Sequence, residues 1–258
     1  MFRCLKAVPL TLAVAALSCW LTSCNPTSHS QIRLIDAIPN GQQVDIYFNA
    51  IRVVQSMQFP QVYPPAATPA SYVTVNSGNS TIQGYPPGDT TNPIPPTGAA
   101  ILKSTYQYTV VAVGLELSDS APMVIVDDNT PPPANQVEFR VINASLNSAS
   151  LGLSPGGVDV YFVPPSVTDL TDYTPQISGL GYAQPSSYQQ IDFLSTGYQV
   201  IMTAHGAKTA LITYPNPPNP PAAPPWPATG SITTFVLLDN AGGNNGMSTA
   251  PLVLNDLN

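Results

Sequence analysis

Cysteine is confined to the start of this chain. Cys4, Cys19 and Cys24 are the only three, and none follows. Beyond residue 24 there is no disulfide, no thiol nucleophile and no thiolate metal site. Charge is also scarce, at 8% of residues. Only two histidines occur, His29 and His205, and only two glutamates, Glu116 and Glu138. There is no G-x-S-x-G, no H-E-x-x-H and no glycine-rich loop between a strand and a helix. A non-enzyme is therefore expected, with no catalytic residue and no cofactor. Paired glycosidase carboxylates stay open, because they need only meet in space. No metal site is expected either. Hard cations need about six to eight converging oxygens, and no D-x-D-x-D-G loop is present.

The N-terminus is informative. Arg3 and Lys6 precede an apolar run from Ala7 to Ser18. A basic start and a modest apolar stretch mark a secretory signal peptide. The run is shorter than the ~20 residues that span a bilayer. It leads into Leu21-Thr22-Ser23-Cys24, which resembles the bacterial lipobox. That resemblance implies cleavage before Cys24 and acylation of this cysteine as a membrane anchor, with two or three chains for a durable hold. Two alternatives rank lower. One is a site at Cys19, where Ala16 replaces the aliphatic residue. The other is an ordinary signal peptide with Cys24 left as a free thiol.

Removing residues 1–23 leaves five basic residues against fourteen acidic ones, a net charge of −9. Such a chain is a poor match for nucleic acid. It is equally poor as a polybasic membrane patch. Asn25 is not the aspartate that retains enterobacterial lipoproteins in the inner membrane. A cell-envelope location follows, at the outer membrane in a Gram-negative source. Residues 24–30 form a short tether that holds His29.

Helical periodicity is nearly absent after residue 30. Short runs of β-branched and aromatic residues alternate with polar ones, between Pro, Gly and Asn clusters. That predicts an all-β chain. The pattern occurs twice. IRLIDAIPNGQQVDIYFN, from Ile32, answers FRVINASLNSASLGLSPGGVDVYFV, from Phe139. SYVTVNSGNSTIQGY answers SYQQIDFLSTGYQVIMTA, and the late segment from Tyr106 answers that from Ser231. The reading is one β-sandwich domain over 31–128, a proline-stiffened spacer over 129–136, and a second domain over 137–258.

RLIDAIP with VDIYF, RVINASL with VDVYF, then TYQYTVVAVG and MVIVDDN carry a resemblance. They are similar to the bacterial envelope domains of the domain-of-unknown-function family four-three-nine-seven. The resemblance covers nearly the whole chain after the signal and is weaker in the second copy. It implies tandem immunoglobulin-like sandwiches on exported proteins and lipoproteins. It brings no established activity.

Several residues are candidates for binding. Asp45 with Tyr47, and Asp159 with Tyr161, fall at the same place in both copies, opposite Val44, Ile46 and Phe48 in the first. They start a sugar- or cation-binding face, or the aspartates bond a turn or Arg33 and Arg140. The latter is favoured. Asp127, Asp128, Asn129, Asp239 and Asn240 are read as strand-end turns. Tyr214 and Trp226 lie in a proline-rich loop, Tyr214 to Pro227, whose shorter counterpart in copy one is placed at Tyr85 to Pro96. This loop either engages a partner or simply projects. A tyrosine or tryptophan cluster on one sheet face would favour carbohydrate, with Tyr106, Tyr108, Tyr182, Tyr188 and Trp226 as candidates. The leading expectation is structural or adhesive binding of envelope proteins or glycans. The alternative is a carbohydrate- or small-ligand-binding lipoprotein of an uptake or assembly system. The short tether keeps copy one near the membrane and leaves copy two, with its loop, to reach outward.

Overall fold

A computed structural model describes residues 28–65, 72–153, 155–215, 227–242 and 246–257. The signal segment, Cys24 and Trp226 lie outside the described residues. The chain is all-β, and four sheets form two sandwich-like units. Unit one contains β1 (His29–Asp36), β2 (Val44–Phe48), β3 (Ile51–Met57), β4 (Val62–Tyr63), β5 (Val73–Asn76), β6 (Gly78–Tyr85), β7 (Ile94–Leu102), β8 (Gln107–Val113) and β9 (Ala121–Asp127). Unit two contains β10 (Gln136–Asn143), β11 (Val158–Val163), β12 (Ile177–Leu180), β13 (Gln184–Pro185), β14 (Gln189–Asp192), β15 (Gln199–Ala204), β16 (Ala210–Tyr214), β17 (Ile232–Leu237) and β18 (Leu252–Asn255).

The two units share one plan. An inner sheet runs β4-β1-β8-β9, with β5 also on β1. Its equivalent runs β13-β10-β17-β18, with β14 on β10. The outer sheets run β3-β2-β6-β7 and β12-β11-β15-β16. In each inner sheet the first strand lies parallel to a late one, β1 to β8 and β10 to β17. The repeat therefore extends to strand pairing.

Alternation explains the layering. Ile32, Leu34, Tyr108 and Val110 face the outer sheet of unit one, meeting Val44, Ile46, Phe48 and Ile82. Phe139, Val141 and Phe235 do the same in unit two, where Phe139 stacks on Phe162 at 4.3 Å. The opposite faces of the inner sheets are also buried. Ile35, Ala37, Val111, Val113 and Ile125 pack with Ile142, Ala144, Val236, Leu238 and Leu254 from unit two. The four sheets are thus stacked in one body, with the inner sheets face to face. Strands buried on both sides read as nearly continuous apolar runs, as in FVLL from Phe235 to Leu238.

This packing changes the expected layout. Residues 129–136 do not hold two units apart. They cross from the end of β9 to the start of β10 at one pole of the body. Ion pairs join the starts of both inner sheets, Arg33 to Asp256 and Arg140 to Asp127. The apolar contacts join their far ends. So β1 and β10 point the same way, and both units begin at the same pole. Tyr214 ends β16 at that pole and β17 starts there. The base of the proline-rich segment therefore lies at the pole where Ser28 begins the described chain, not at the outward end. Its topological counterpart is the Lys103–Tyr106 turn between β7 and β8. The Tyr85–Pro96 segment joins β6 to β7 at the opposite pole.

Candidate functional site

Three arrangements gather polar side chains. The first lies between the units. Arg33 and Arg140 sit mid-strand on β1 and β10, on the face turned to the other unit, and both are buried. Each guanidinium bonds a threonine of its own unit and an aspartate of the other. Arg33 donates to Thr109 and to Asp256, both at 2.8 Å. Arg140 donates to Thr234 at 2.7 Å and to Asp127. Tyr72 donates to Asp127 at 2.8 Å, and Tyr188 to Asp256 at 3.0 Å. The rings of Tyr72 and Tyr188 lie 5.3 Å and 4.7 Å from the guanidinium carbons of Arg33 and Arg140. The set has pseudo-twofold symmetry, Arg33–Thr109–Asp127–Tyr72 answering Arg140–Thr234–Asp256–Tyr188.

Burial opposes the charge on both arginines, and the neighbouring aspartates outweigh it, so both are held above their ordinary value. Burial also pushes the Tyr72 and Tyr188 hydroxyls well up, Asp127 and Asp256 adding to the effect in turn. The arginines, aspartates and threonines of this set are buried, and the two tyrosines flank them half-buried. Its chemistry is cohesion.

The second arrangement surrounds the repeated aspartates. Asp45 is buried and accepts bonds from the Ser56 amide at 2.8 Å and from Arg52 and the Gly88 amide at 3.4 Å. Asp159 accepts from the Ser178 hydroxyl at 2.9 Å and from the Gly179 and Gly206 amides at 2.8 Å. His205 Nδ1 lies 2.9 Å from the same carboxylate. Burial disfavours the Asp159 charge, but these bonds outweigh it and hold the carboxyl below the usual range. Both aspartates therefore tie turns to their strand. Arg33 and Arg140 are not their partners. Asp239 has a similar task, accepting from the Leu146 amide at 3.0 Å and from Ser145. Asp127 does not, being an ion-pair partner rather than a turn residue.

The third arrangement is the outer face of each outer sheet. On unit one, Tyr47 and Tyr85 meet edge to face, 5.0 Å apart, and both are half-buried. Arg52 and Gln83 sit opposite Tyr47 on the flanking strands. Nothing from the β2–β3 connection covers them. That connection is the two-residue turn Asn49–Ala50, with both φ values positive, the backbone of a tight hairpin. In unit two the matching connection runs over residues 164–176 and packs back on the sheet. Val167 and Leu170 cover Tyr161, Val163 and Ile201, and Lys208 lies over the Tyr161 ring at 4.9 Å. Tyr161 is 1% exposed. The two copies of the motif thus diverge, open in unit one and closed in unit two.

The other candidates scatter. Tyr108 and Tyr188 are committed to internal bonds. Tyr182 packs against the apolar contact between the units. Tyr214 lies on β16 with its ring 5.8 Å from Phe235, on the core of unit two. Tyr85 was not among the sequence candidates. Its pairing with Asp45 across β2 and β6 depends on register. Among the described residues no cluster of three or more metal-ligating side chains occurs. None of the described helices is long and apolar enough to cross a membrane.

One buried acid has no cation beside it among the described residues. Asp36, at the far end of β1, accepts a single bond from the Ile38 amide at 3.0 Å. Burial pushes it up to about 6 from 3.8. The folded state then holds this proton more tightly than the unfolded chain. Its contribution is favourable below about pH 4 and is lost as pH rises through 6. Asp36→Asn keeps the acceptor and removes the charge. It is expected to stabilise the protein by roughly 2–3 kcal/mol at pH 8 and to change little at pH 3.5. Urea titrations at both pH values check this, and equal effects at both would refute it.

The comparison with curated proteins returns no match. Residues 30–154 match the model of a family described as a domain of unknown function, DUF4397. The match covers unit one and β10 and stops at 154, short of the near-complete coverage expected. Unit two is tied to unit one by topology instead. The suspected family is thus matched by its own model over residues 30–154.

Proposed function

We propose that this protein is a lipid-anchored envelope protein that binds a partner and performs no chemistry on it. The anchor is Cys24, from the lipobox resemblance. The location is the cell envelope, at the outer membrane in a Gram-negative source. The observation that carries the binding role is the open outer face of unit one. Tyr47 and Tyr85 present aromatic edges beside Arg52 and Gln83 on a rigid sheet. Rigid aromatic anchors with polar neighbours lose little entropy on binding. Closure of the same face in unit two supports a division of labour, unit one binding and unit two bracing it. The partner is an envelope protein or glycan, held for structural or adhesive ends. A second reading, carbohydrate binding for uptake or assembly, draws on the same tyrosine pair. The non-catalytic part of the proposal rests on the missing motifs.

Affinity capture from solubilised envelopes tests the binding role. Tyr47→Ala with Tyr85→Ala is expected to lose the partner that the wild type retains, at least tenfold if the rings are anchors. Undiminished recovery would remove the face from consideration. For the anchor, Cys24→Ser should abolish incorporation of a palmitate analogue.

A further inference from the structure

We infer that one corner of unit one rests on the membrane surface, with Ile101, Lys103 and Tyr106 as the contact. The inference depends on Cys24 being the anchor. Four peptide units separate Cys24 from Ser28. They reach at most about 14 Å when fully extended. The pole where the described chain begins therefore cannot leave the lipid surface by more than this.

That pole carries what an interfacial contact requires. Ile101 is 74% exposed at the end of β7, the most exposed large apolar residue among those described. Tyr106 is 44% exposed on the following turn. The Lys103 ammonium lies 5.5 Å from the centre of the Tyr106 ring. Backbone bonds fix these residues to the first strand. The Thr105 amide donates to His29 at 2.8 Å and the Gln31 amide to Tyr106 at 3.0 Å. The patch is therefore rigidly placed beside the point where the anchor enters. An aliphatic side chain, a tyrosine and a lysine are the set that sits at a lipid–water boundary. The ring lies at headgroup depth and the ammonium meets phosphate. Two exposed acids of this pole lie with the inner sheets, Asp192 on β14 and Asp128 directly after the end of β9. Contact is thus through the outer corner of unit one, away from them. Close to a bilayer the patch is a second point of hold, and two points fix orientation where a lipid alone does not.

The test uses the full lipidated chain in vesicles of phosphatidylethanolamine and phosphatidylglycerol. Lipidation leaves no free thiol, so Ile101→Cys carries a single environment-sensitive fluorophore. A second protein carries it at Leu153→Cys. Leu153 is 62% exposed and bonds His205 at the opposite pole, about 25 Å away along the strands. The Ile101 probe is expected to shift to shorter wavelength and to be quenched by nitroxide-labelled lipid, while the Leu153 probe does neither. Mass analysis of the N-terminal peptide is run on the same samples. A lipidated protein whose Ile101 probe stays water-like overturns the contact and leaves the anchor standing. A peptide without lipid overturns both.

Discussion

Arg140→Met is expected to destabilise the protein by about 3–5 kcal/mol, measured by urea unfolding at pH 7. Arg140 is 1% exposed and is the largest fully buried side chain among the described residues. Its loss strips Asp127 of its nearest cation and leaves Thr234 and the Val126 carbonyl without their donor. Arg33 is 3.7 Å from Asp127 and compensates only in part. Arg33→Met should cost a similar amount, because the set is pseudo-symmetric. Converting all four charged members to Met and Leu should recover much of the loss. A buried ion pair replaced by apolar groups of similar volume is often neutral, whereas half a pair is costly. A loss below about 1 kcal/mol for Arg140→Met would show that these charges are not cohesive.

Residues 28–130, expressed alone, are expected to form a dimer. The cut exposes Ile35, Val111, Val113 and Ile125 together with Arg33 and Asp127. A second copy supplies what unit two supplied. Its Asp127 takes the place of Asp256 and its Arg33 that of Arg140. Pseudo-symmetry between the units becomes true twofold symmetry, the commonest arrangement of homo-oligomers. Sedimentation equilibrium measures the mass. Asp127→Arg in this fragment sets like charges against each other and should abolish the dimer. A wild-type fragment that sediments as a monomer would refute the expectation.

Much of the fold was legible in the residues. Val44, Ile46 and Phe48 alternate with Asp45 and Tyr47, and this set the strand and its inward face. The equivalence of Tyr72 with Tyr188, and of β8 and β9 with β17 and β18, followed from the repeat. The arginines were not legible in this way. A lone arginine in an alternating strand reads as solvent-facing, since its neighbours say nothing about what lies across that face. Arg33 and Asp256 are 223 positions apart. Tyr47 was legible as a candidate, but its partner Tyr85 required the β2–β6 register. The difference between Tyr47 and Tyr161 was hidden too. Their local sequences, VDIYF and VDVYF, are almost the same. What separates them is a two-residue turn in one unit and a longer covering segment in the other.

The sequence by itself determined the strand class and the twofold repeat, and it carried the expectation of a lipid anchor. Each is written in local pattern, in alternation, recurrence or a four-residue motif. Only the tertiary structure decided that the two units form one body with both starting points at one pole. That outcome depends on which faces meet, and apolar and charged faces choose partners by complementarity across distances that local pattern does not encode. The pole then gave Ile101, Lys103 and Tyr106 a shared setting that three exposed residues in a sequence do not have.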